Sequence, residues 1–288
     1  MKAINTLTWK DKLRAYKKNP FSGLLFLLVL IAALLTFAVL LFLVGYILVR
    51  GLPHLTLSLF EWEHTTANVS MMPAIINTFI MVILALVLAG PLGIFSAIFL
   101  VEYSGSGNKL VKAVRITTET LAGIPSIVFG LFGMLFFVMA LGWGFSRLAG
   151  AFTLSIMILP LIMRTTEEAL LTVPASYREG SYALGAGKLR TIFRIVLPAA
   201  VPGILAGVIL GMGRVVGETA ALMFTAGTIA QVTPSVMDSG RTLAVHMYVL
   251  ASEGFHVNQA SATGVVLLVL VIILNALSGL IAKKLVKS

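Results

Sequence analysis

Cysteine is absent from this 288-residue chain, so it has no disulfide framework, thiolate metal site or thiol nucleophile. Charge is almost as scarce. Asp, Glu, Lys and Arg make up 11% of the residues against 59% hydrophobic ones, which excludes a water-soluble globular protein. Acidic residues number 11 against 21 basic ones, and the resulting net charge of +10 suggests nucleic acid until the placement of the charges is considered. The four histidines, His54, His64, His246 and His256, are scattered through loop segments without ligand spacing and are expected at the surface, not on a metal. A phosphate-binding loop is also missing. The one approximation, ending at Gly187-Lys188, has Tyr182 at the first glycine position and Leu189 after the lysine, so any nucleotide hydrolysis must come from a partner.

Long apolar runs dominate what is present. Phe21 to Val49 is almost uninterrupted, enough to cross a hydrocarbon core of about 30 Å at about 1.5 Å per residue. It is too long for a signal-peptide core and lacks a small-residue cleavage site, so a retained first span is expected. Further spans are predicted at Pro73–Val101, Thr120–Leu141, Ala151–Val173, Ile195–Phe224 and Thr263–Ala282. The fold class is therefore an all-α membrane protein with six transmembrane helices. The expected organisation is a basic arm at 1–20, a first span with its external loop at 21–72, a five-span core at 73–282 and a tail at 283–288. The 226–262 connection is too polar to cross and is predicted to hold a short interfacial helix around Leu243–Leu250.

The basic residues orient these spans. With both ends cytoplasmic, sixteen Lys and Arg fall on the inside and only Arg50, Arg147 and Arg241 on the outside. The high basicity is explained by a bilayer, with membrane lipid as the surrounding partner, and nucleic acid is not needed.

Charges within the spans are the candidates for chemistry, because each costs at least about 2.5–3.5 kcal/mol at the bilayer centre. Arg214 and Glu218 stand four residues apart in G-M-G-R-V-V-G-E-T-A-A, and Arg164, Glu167 and Glu168 recur in P-L-I-M-R-T-T-E-E-A-L. A structural reading makes them ion pairs that lock the bundle. A functional reading has the guanidinium groups pass an oxyanion through bidentate hydrogen bonds, with Glu218 already paired to Arg214 so that binding stays weak enough for release. Gly203, Gly207 and Gly211 recur every fourth residue, a stripe that lets two helices approach closely. Gly123-Ile124-Pro125-Ser126 is expected to interrupt or kink the third span.

The polar stretch E-G-S-Y-A-L-G-A-G-K-L-R-T-I-F-R-I-V-L-P, Glu179 to Pro198, is wedged between apolar regions. Ser176 and Glu179 have capping-box spacing, predicting a helix start after Pro174, and Gly185 and Gly187 offer backbone for its end. The stretch resembles the coupling-loop signature of ABC importer permeases, E-A-A, three residues, G, nine residues, I-x-L-P. Glu179, Gly185, Ile195, Leu197 and Pro198 fall on the matched positions, and Gly180-Ser181 replace the two alanines. That resemblance implies the type I importer permease fold, with a cytoplasmic coupling helix in the 174–194 loop against which an ATPase docks. G-I-P-S-I-V-F-G-L, R-T-T-E-E-A-L, G-R-V-V-G-E-T-A-A-L and L-A-V-H-M-Y-V-L-A-S-E-G together resemble the phosphate importer permeases of the PstA type.

This second resemblance implies a PstC-like partner permease, a PstB-like ATPase dimer carrying the ATP and Mg, and an external phosphate-binding protein. It places the chain in a bacterial inner membrane as a non-catalytic subunit without a cofactor of its own. It also implies that Arg164, Arg214 and Glu218, with Glu167 and Glu168, line the route of inorganic phosphate. A permease for another oxyanion or small solute, and an ATP-independent carrier or channel, are the alternatives.

Overall fold

The computed structural model describes residues 19–104 and 108–287. Residues 1–18 of the predicted basic arm, Ser288 and the side chains of Lys283, Lys284 and Lys287 in the tail lie outside what is described. The chain divides into two units, Met1–Arg50 and Gly51–Ser288. In the first, helix α1 (Pro20–Gly51) is 32 residues of nearly unbroken apolar sequence. A helix apolar on every side suits lipid or another membrane helix as its surroundings.

The second unit is helical throughout its described residues, apart from turns and loops. Helix α2 (Met72–Ile98) runs on through a π-helical turn at Phe99–Tyr103, followed by α3 (Lys109–Ala122) and α4 (Ser126–Gly133), which continues as a π-helical stretch to Ala140. Helix α5 (Arg147–Thr172) leads through a tight corner into the short α6 (Ala175–Ala183) and the single turn α7 (Lys188–Thr191). A π-helical turn at Ile192–Val196 joins α7 to α8 (Leu197–Val216); α9 (Ala220–Met223), α10 (Leu243–Glu253) and α11 (Val257–Lys287) complete the chain. Five helices are long and apolar enough to cross a membrane, and α3 with α4, bent by 102° at their junction, makes the sixth. The protein is an all-α, multi-pass membrane protein, and α10 is the short helix expected between the last two spans.

Helix α5 is the centre of the packing, held between α2 and α8. Met81, Ala85, Leu154, Met157, Ile158, Ile162, Val215 and Val216 interdigitate in one buried cluster. A second cluster of Ile98, Leu100, Leu170, Ile192 and Val196 closes the end that carries Glu179. The glycine stripe of α8 faces α5 as its spacing predicts. A methyl at Gly203 would stand 2.6 Å from Cβ of Ala169, and one at Gly207 would overlap the Thr165 hydroxyl. Without side chains between them the two backbones pack directly, which is how helices associate where no hydrophobic force separates them from lipid.

Several sequence expectations change. The third span starts at Lys109 instead of Thr120, and Gly123–Pro125 turns the chain instead of merely kinking it. Pro125 has no N–H and disfavours helical backbone at Ile124, so the last turn of α3 tightens, with Gly123 donating to the Thr120 carbonyl and Ile124 to that of Leu121. The fifth span ends at Val216 instead of Phe224. At its other end it reaches back to Lys188 through the π-helical turn. That widened turn accommodates Pro198, which cannot donate to the Arg194 carbonyl.

Candidate functional site

Helix α6 begins at Ala175, directly after Pro174, whose extended backbone (φ −55°, ψ 138°) occupies the cap position. Ser176 is thereby the second residue of the helix, and the capping box expected from Ser176 and Glu179 does not form. The helix ends as predicted. Gly185 is left-handed at φ +79°, its N–H donates to the Tyr182 carbonyl at 2.9 Å, and the Ala186 N–H donates to that of Ser181 at 3.1 Å. These two bonds make the Schellman pattern that satisfies the last carbonyls of α6 and turns the chain into α7.

One face of α6 is exposed, with Glu179, Gly180, Tyr177, Tyr182 and Leu184 open, the last at 90%. On the other face Ser181 is buried and its hydroxyl lies 2.8 Å from that of Thr191. Ile195 and Leu197 are half-buried and Pro198 exposed, so the I-x-L-P segment roots the loop in the start of α8. Arg178, which the sequence marks only as one of several basic residues, is the anchor. Its guanidinium donates to Glu102 Oε1 at 2.6 and 3.0 Å, to the Leu170 carbonyl at 3.0 Å and to the Val173 carbonyl at 2.9 Å. The residue thus neutralises both a buried carboxylate at the end of α2 and the negative end of α5. Lys188 stands over the Tyr103 ring at 4.6 Å and adds a second tie to the same corner.

The charged residues of α5 are brought together with α3. Arg164 pairs with Glu168 one turn on, Nε to Oε1 at 3.1 Å, both exposed. Glu167 turns the other way and meets Arg115 of α3 at 2.5 Å. Arg214 and Glu218 are not paired, contrary to expectation. Helix α8 stops at Val216 and Gly217 caps it, so the four-residue spacing no longer places both side chains on one helical face. Glu218 is buried and accepts a hydrogen bond from the Ala221 N–H at 3.1 Å, closing the N-terminal turn of α9. Arg214 is half-buried in the last turn of α8, where a cation suits the helix terminus, and has no carboxylate partner among the described residues.

At the opposite end, carrying His64, two further basic residues, Arg147 and Arg241, are buried in the packing. Arg147 is buried and donates to Asn77 Oδ1 at 3.2 Å, to the Thr233 carbonyl and hydroxyl at 2.6 Å and to the Ser235 carbonyl. The N–H groups of Arg147 and Leu148 donate to the Asp238 and Val236 carbonyls, so the 226–242 loop covers the start of α5. Arg241, also buried, lies 3.0 Å from His64 Nε2, and the rings of His64 and His246 meet edge to face at 5.6 Å. The surface reading of the histidines therefore fails for His246, which is fully buried, while His54, His64 and His256 are half-buried. Burial, then the positive charge of Arg241 and of His64, pushes His246 down to about 3, and burial draws Arg241 down to about 10.

A chain of helical spans with an exposed, glycine-terminated helix between α5 and α8 can be compared with known proteins. Residues 89–287 match the family described as the binding-protein-dependent transport system inner membrane component. The chain belongs to that family. The permease is 33% identical over 256 residues to the probable ABC transporter permease protein YqgI of Bacillus subtilis, covering 83% of this chain and 87% of that protein. It is 44% identical over 154 residues to the phosphate transport system permease protein PstA 1 of Mycobacterium tuberculosis, covering 54% of this chain. The matched region spans about half of that relative, 49% of its length. Among solved structures, a bacterial alginate ABC transporter crystallised with its alginate-bound periplasmic protein superposes with a TM-score of 0.69 at 18% identity, covering 96% of this chain and 99% of that one. A chain of the MetNI methionine ABC transporter, inward facing, gives 0.58 at 21% identity, covering 75% and 94%. At such identities the structures speak for the fold alone, that of type I ABC importer permeases.

The residues that sequence reasoning missed are Glu102, Arg115 and the Arg147–Arg241–His64–His246 group. Their partners lie far away in sequence, 76 residues in the case of Glu102 and Arg178, and no local spacing signals such a contact.

Proposed function

We propose that this permease forms, with a partner permease of the PstC kind, the membrane pathway by which an ATP-driven importer takes up inorganic phosphate. The observation that carries the reading is Arg214. A half-buried guanidinium without a carboxylate partner among the described residues, in a chain with so little charge, is costly in a membrane unless it serves an anion. Its planar array of N–H donors suits a tetrahedral oxyanion, and Gly213 and Gly217 beside it leave the approach clear of side chains. The PstA relatives give phosphate as the first choice of solute. The exposed face of α6 is the docking site for an ATP-binding subunit that carries the ATP and Mg, and an external phosphate-binding protein delivers the solute at the His64 end. In this reading both termini and α6 are cytoplasmic, in a bacterial inner membrane. Arg164, with Glu167 and Glu168, receives the anion nearer the α6 end, and Glu218 holds the α8–α9 break open at Arg214 without quenching its charge.

A second reading is a permease for another oxyanion or small solute, since the relative matched over most of its length has a name that specifies no solute. Uptake of radiolabelled phosphate into vesicles bearing the assembled complex separates the two, with arsenate and sulfate as competitors. ATP-dependent phosphate uptake that sulfate does not suppress is expected, falling to background in Arg214→Gln although the complex still assembles. Uptake of sulfate in preference to phosphate refutes the choice of solute, and parental transport by Arg214→Gln refutes the role of the arginine.

A further inference from the structure

Between α3 and the second half of α5 lies an open cavity of about 230 Å³ lined by Arg115, Thr118, Glu119, Arg164, Glu167 and Glu168. It brings Arg164, a residue of the proposed anion route, into one space with a guanidinium from a different helix. Arg115 is half exposed, and its one ionic contact among the described residues is the Glu167 carboxylate at 2.5 Å, which leaves most of its five N–H donors unused. Arg164 likewise engages Glu168 through Nε, and its two terminal nitrogens make no ion pair among the described residues. Glu119, one turn beyond Arg115, has no ion pair among the described residues.

We propose that Arg115 is a second anion-binding residue, which takes inorganic phosphate together with Arg164 at the α6 end of the pathway; the inference rests on the phosphate-importer reading above. Two guanidinium groups here face three carboxylates, so the cavity carries one net negative charge. A phosphate ion enters only by displacing Glu167 and Glu168 from their arginines, and the same carboxylates expel it by re-forming the pairs. Such a cavity holds its anion briefly, which is what an exit station requires and a storage site does not. If the Arg115–Glu167 pair served only to hold α3 against α5, an open cavity beside it would not be needed.

The test is phosphate uptake by the assembled complex in vesicles, with the amount of assembled complex measured alongside. Arg115→Gln is expected to lower the maximal rate roughly tenfold or more, with the half-saturating external phosphate unchanged, because capture occurs elsewhere. Arg115→Lys, which keeps the charge and loses the bidentate geometry, is expected between the two. The paired variant Arg115→Leu with Glu167→Leu restores apolar packing between the helices and is expected to assemble without recovering uptake. Uptake by Arg115→Gln within about twofold of the parent, or recovery in the leucine pair, overturns the role of Arg115 and leaves the importer reading standing. Failure of the parent complex to take up phosphate would instead overturn the importer reading itself.

Discussion

Replacing Arg178 by alanine is the most informative single perturbation of the α6 corner. The guanidinium makes four hydrogen bonds, two to Glu102 and two to carbonyls at the end of α5. Its side chain is 19% exposed and that of Glu102 only 5%, so the pair is largely screened from water. Bonds to charged groups are worth about 1.5–3 kcal/mol each but are not additive. The larger effect is the carboxylate left behind, and removing one member of a buried pair costs about 3–5 kcal/mol. Because Arg178 ties α6 to the ends of α2 and α5, the loss should appear locally. Hydrogen exchange of the assembled complex is the assay, and a loss of about 3 kcal/mol corresponds to roughly a hundredfold faster exchange in Ala175–Ala183 and the last turn of α5. If α6 is the docking helix proposed above, transport per ATP hydrolysed should fall with it. Replacing both partners, Glu102→Leu with Arg178→Leu, should recover much of the local protection. Exchange in Arg178→Ala within about twofold of the parent would refute the argument, since it would mean that the pair contributes almost nothing.

Three other predictions follow from the same geometry. Glu179→Lys reverses a charge on the exposed face of α6 and should weaken co-purification of the ATP-binding subunit by about tenfold or more, while the permease pair itself still assembles. Gly207→Leu inserts a side chain where α8 meets Thr165 of α5 and should cost at least about 1–3 kcal/mol, read as a lower unfolding temperature of the purified protein; an unchanged temperature would show that the two helices are not in direct contact. The last concerns His246, which is buried and neutral, its folded value near 3 lying below the ordinary value of 6.5. The unfolded chain binds the proton first, so stability is complete above about pH 6.5 and is lost as pH falls toward 3, by about 2 kcal/mol at pH 5. His246→Phe should flatten the dependence of thermal unfolding on pH over that range.

Much of this protein follows from local chemistry that the sequence displays. The spans are legible because each crossing needs about 20 apolar residues, and their composition admits little else. Gly185 announces the end of α6 because few residues tolerate φ +79°, and Gly203, Gly207 and Gly211 announce the face of α8 that meets α5. Tertiary structure decided everything that depends on where a helix stops or on what lies across from it. Pro174 took the cap from Ser176, and the end of α8 at Val216 separated Arg214 from Glu218, although both pairs have the spacing that would have joined them. Arg178 found Glu102, Arg115 found Glu167, and His246 was buried beside His64, because folding juxtaposes residues that share no sequence period. Periodicity reports which face of a helix is apolar; only the packed bundle determines which charge that face will meet.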